Sequence, residues 1–130
     1  MRSGEFAGLP SSLLHTVGDT FLLGTDNGEW GGELVEQRDG HDRKIAENIN
    51  VRGFFTKGST LFVFDGIEHL RGAGHLWRVV SEGGTHLELV TDLPGSPHAW
   101  RLDGSTLTVI THGELQEVDC KERVFSVVLP

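Results

Sequence analysis

Cysteine is nearly absent: Cys120 is the only one in 130 residues, so no intrachain disulfide can form. A lone thiol leans toward a reducing cytoplasm and says little more about compartment. Long apolar runs are missing too. The longest, such as Leu61 to Phe64, are strand-sized, far short of the roughly 20 residues a membrane-spanning helix needs. Positive charge is scarce, with 11 lysines and arginines against 19 aspartates and glutamates and a net charge of −8. Such a surface repels phosphate backbones and anionic lipid, which excludes nucleic acid and membranes as expected partners. No 3.6-residue apolar stripe recurs, so helix is nowhere the leading expectation.

Chemical motifs are also lacking. There is no HExxH, no paired-cysteine spacing and no EF-hand loop, and the serines in turns, Ser11, Ser12, Ser59 and Ser105, have no G-x-S-x-G frame. Gly72 to Gly74 form a G-x-G, but no helix follows to receive a phosphate. The sequence therefore calls for no cofactor. Met1 to Phe6 carry one positive charge and no hydrophobic stretch behind it. This reads as an expression-tag remnant, with residues 1–8 a tag or disordered tail and 9–130 one domain. Cytoplasm is the expected compartment, with secreted or periplasmic origin left open.

What is present is glycine, 18 residues of it, and a threefold echo: "GDTFLLGTDNG" at 18–28, "GSTLFVFDG" at 58–66 and "GSTLTVITHG" at 104–113. Anchoring these on Thr20, Thr60 and Thr106 gives offsets of 40 (60 − 20) and 46 (106 − 60), and flanking residues fall into register. Before each anchor lies a short strand ending in a polar-glycine turn, with Leu14, Phe54 and Trp100 at the equivalent bulky position. The anchor strand itself has apolar residues on both faces, as a strand between two neighbours should. Third strands follow at "GELVEQR", "GHLWRVV" and "GELQEVD", matched at Leu34, Leu76 and Leu115, and fourth strands at "RKIAENI", "THLELVTDL" and "RVFSVVL". "DGHDRK" at 39–44 and "PGSP" at 94–97 are turns.

Three four-stranded units at a period of roughly 40 to 45 residues have the dimensions of propeller blades. Over residues 9–130 the chain resembles the β-propeller superfamily, by pattern alone; it carries no tryptophan-aspartate or kelch signature that would name a family. The resemblance implies an all-β fold of blades at about 9–49, 50–93 and 94–130; a β-sandwich or barrel is the alternative. Closed propellers need about four to eight blades, so three would leave open faces carrying residues such as Phe62, Trp77 and Val109. A homodimer making half of a six-bladed ring per chain is the expected remedy.

Variation on that frame concentrates between second and third strands, at 25–33, 65–75 and 111–114. Asp26, Asn27, Glu29 and Trp30 put carboxylates, an amide and an indole together, a platform for a small polar ligand, with Asp65 and His69 beside it. The same residues also make an ordinary turn, with Trp30 packed between blades. The leading reading is a non-enzymatic binding module taking a small polar ligand or a peptide near a central channel. The rival is a metal-assisted, lactonase-like hydrolase with Asp26, Asp65, Glu68, His69 and His112 as ligands, an analogy of fold. The seven histidines are scattered, which suits surface or interface roles.

Overall fold

In the computed structural model the described residues are 7–8, 13–17, 20–25, 32–67, 73–112 and 122–130. Their hairpins follow from the turns. Gly58 and Gly104 open two-residue loops with φ of 61° and 60°, so that Lys57 pairs with Thr60 and Asp103 with Thr106. A positive φ at the first loop position matches the twist of the flanking strands. Asp39-Gly40, with φ of 52° and 75°, closes Arg38 onto His41 in the same way.

The strands form three antiparallel sheets. The first contains β2 (Leu13–Val17), β3 (Thr20–Gly24), β4 (Glu33–Arg38) and β5 (His41–Glu47) in sequence order. The second contains β6 (Val51–Lys57), β7 (Thr60–Ile67), β8 (Ala73–Val80) and β9 (His86–Leu93), again in order. The third is built from β10 (Ser96–Asp103), β11 (Thr106–His112) and β12 (Glu122–Val128), with β1 (Ala7–Gly8) paired to the free edge of β10. The protein is all-β, no sheet closes on itself into a barrel, and the described residues include no helix.

Strand β7, within the second sheet, is buried on both faces. Leu61 and Val63 of β7 join Leu22, Leu34, Ile49 and Val51 in one core, against the first sheet. Phe62 and Phe64, on the alternate face, join Leu107, Val109 and Leu129 in another, against the third. The period of two sends neighbouring residues to opposite cores. Phe55 lies between Phe62 and Trp100, with ring centroids 4.9 Å away on each side. Full burial of such a side chain contributes about 1.5–3 kcal/mol.

Three expectations are corrected. "RVFSVVL" is not a fourth strand: β12 pairs directly with β11, from Thr106 opposite Val128 to His112 opposite Glu122. Its Phe125 and Val127 alternate onto the second core, which fixes that register, while Leu115 and Cys120 lie outside the described residues. Ser96 and Pro97 belong to β10 rather than to a turn, both fully buried. Finally, Phe62, Trp77 and Val109 do not lie on open faces. They pack at the sheet interfaces, because the middle sheet has a neighbour on each side and Val109 faces inward.

Candidate functional site

The crossings between consecutive sheets place the site. At the first crossing Gly32 lies against the carbonyl oxygens of Thr25 and Ile49, and Val51 donates its N–H to the Thr25 carbonyl at 2.9 Å. At the second, Gly74 lies against the carbonyl oxygens of Gly95 and Asp65, where a Cβ would sit 2.7 and 2.9 Å away, and Pro97 replaces Val51. Both inner strands carry a bulge at the same point. Arg52 is skipped between Val51 and Gly53, and His98 between Pro97 and Ala99, 46 positions further on (98 − 52). A bulge inserts one residue and re-aims the strand locally.

On the threonine anchors, Thr25, Asp65 and Thr111 occupy the same place in the three sheets. All three are satisfied within their own sheet, the two threonines by backbone of the neighbouring strand. Thr25 Oγ1 accepts the Glu33 N–H at 3.0 Å, and Thr111 Oγ1 donates to the Arg123 carbonyl at 3.4 Å. Asp65 differs. Its Oδ2 accepts from Trp77 Nε1–H at 2.6 Å and its Oδ1 lies 2.9 Å from His75 Nδ1. With Asp65 ionised, only an Nδ1–H on His75 makes that second hydrogen bond. The side chain is 10% exposed, and burial raises its pKa above the usual carboxylate range despite the opposing hydrogen bonds from Trp77 and His75.

Strand pairing creates this cluster. Asp65 is directly opposite His75, and Trp77 stands two residues along β8 on the same face, opposite Val63. The His75 and Trp77 rings are 5.6 Å apart, and His75 Nε2 is 3.6 Å from Asp92 Oδ1 at the end of β9. The cluster closes one side of a groove of about 440 Å³ between the first and second sheets. Ile45, Ile49 and Leu87 supply apolar wall, and Asn48, Asn50 and Glu47 supply polar rim. Asp65 fixes the imidazole through Nδ1, which leaves Nε2 on the far side of the ring, beside Asp92.

A second groove, of about 500 Å³, lies along the same pair of sheets and includes Glu36, Arg38 and Thr85. There Thr85 donates to buried Glu36 at 2.6 Å, and Arg43 bonds the Thr85 carbonyl. These contacts tie the β8–β9 turn to the first sheet.

Of the sequence-derived candidates, Asp26, Asn27, Glu29, Trp30, Glu68 and His69 lie outside the described residues. His112 ends β11 with its backbone paired to Glu122. Asp65 alone has a described side chain, and its partners His75 and Trp77 were not among the candidates. Sequence reading treated 65–75 as one loop, whereas pairing continues to Ile67 opposite Ala73. Once the hairpin is drawn that far, Asp65 falls opposite His75. Among the described residues, no group of three or more histidine, cysteine, aspartate or glutamate side chains is placed to hold a metal ion. No protein-family model, curated protein or solved structure matches the chain.

Proposed function

We propose that the chain is a β-propeller-like binding module, three blades to a chain and six to a homodimer, that takes a small polar ligand in the groove beside Asp65. Support for the blades comes from the three anchored sheets, the equivalent bulges at Arg52 and His98 and the equivalent crossings at Gly32 and Gly74. The binding role rests on one observation: where the flanking sheets place a threonine bonded to backbone of the neighbouring strand, the middle sheet places a buried carboxylate that fixes an indole and an imidazole side chain at a groove. A buried carboxylate raised in pKa costs stability, and such costs concentrate at functional positions. An apolar wall with a few convergent polar groups suits a ligand having one greasy face and several hydroxyl or amide groups.

The test is NMR titration with a panel of monosaccharides, disaccharides and short peptides at millimolar concentration, following the Trp77 indole N–H and the His75 ring, assigned through Trp77→Phe and His75→Gln. At least one member moves both sets of resonances saturably, and Asp65→Asn weakens that binding. A panel that leaves both unmoved refutes the reading.

A further inference from the structure

The two internal sheet interfaces show what a third would need. Leu61 and Val63 of β7 and Leu107 and Val109 of β11 face the preceding sheet, and all four are buried. Phe21 and Leu23 hold the same places in β3, 40 positions earlier than Leu61 and Val63, yet they are 41% and 38% exposed. At the other end, Thr108 and Ile110 of β11 hold the places of Phe62 and Phe64, which face the following sheet; Thr108 is itself buried against Ser126 of β12, and Ile110 is half-buried. On that face Val124 and Val128, opposite Ile110 and Thr106, are 70% and 71% exposed. Among the described residues the chain thus exposes apolar side chains of one half-interface of each kind, at opposite ends, Phe21 and Leu23 at one and Val124 and Val128 at the other.

We infer that these two faces are a head and a tail that meet between two copies of this chain, the Phe21–Leu23 face of each against the Val124–Val128 face of the other, in two equivalent seams. The occupant follows from continuity with the internal interfaces: what each end lacks is the set of positions the other end presents. A contact of unlike faces either closes a ring or runs on as a filament, and two copies of three wedges close it. The inference rests on the propeller reading and names the seam that the reading requires.

Sedimentation of wild type, Leu23→Lys and Val124→Glu, alone and mixed, tests it. Both side chains are exposed in the single chain, so each variant keeps its fold, checked by circular dichroism. Wild type sediments at twice 14.2 kDa and each variant alone at 14.2 kDa. Mixing the variants restores the doubled mass, since one seam then pairs lysine with glutamate and the other is wild type. A Leu23→Lys chain that stays dimeric, or a mixture that stays monomeric, overturns head-to-tail association while leaving a dimer of another kind. Wild type that is monomeric, or that grows without limit as concentration rises, overturns the two-copy ring. Neither outcome bears on the ligand titration, which reads a groove within one chain.

Discussion

Asp65 is the residue on which the functional reading turns, and its ionisation has a measurable cost. Burial raises its folded pKa above the unfolded value, so between those two values the native state holds more proton than the unfolded chain. Stability therefore falls as pH rises through that window and levels off above it. This is the reverse of a salt-bridged aspartate. Asp65→Asn, which has no proton to lose, flattens that segment of the stability profile. Urea titrations of both proteins from about pH 4 upward, starting near the unfolded carboxylate value, check the difference. A wild-type profile that rises through the same interval, with the variant parallel to it, contradicts the burial argument. That Asp65 stands at the start of a variable segment was legible in the sequence. That His75 and Trp77 complete the cluster was not, because each reads singly as a surface imidazole and a core indole. Only the cross-strand register joins them.

At the scale of elements, β7 is what the sequence conveyed best: an anchor strand apolar on both faces is buried on both faces. The third sheet was conveyed least. "GELQEVD" and "RVFSVVL" both alternate, and nothing local says which pairs with β11. The decision comes from packing Phe125 and Val127 against the second sheet, a contact far away in sequence. The two-faced role of β7 predicts an uneven response to truncation. Phe62→Ala removes a fully buried ring between the second and third sheets and costs about 3–5 kcal/mol. Phe21→Ala, on the exposed face of the first sheet, costs the dilute chain within about 0.5 kcal/mol. Thermal melts of the two variants at low protein concentration measure the contrast; equal losses would mean that the first sheet is covered within the chain.

For the whole molecule, the second sheet packs against the first through one core and against the third through the other, and among the described residues Phe21, Leu23, Val124 and Val128 remain exposed on the two outer sheets. An apolar sheet face left in water favours association, and the acidic net charge of −8 limits how indiscriminate that association is. The residues expected on open faces, Phe62, Trp77 and Val109, pack inside instead, because the facing of each strand is set by sheet packing that the sequence does not spell out. The most direct measurement is the solution mass of the unmodified chain across a wide concentration range. A single plateau at twice 14.2 kDa is the result expected of three wedges completed by three more, and a mass of 14.2 kDa at every concentration would contradict it.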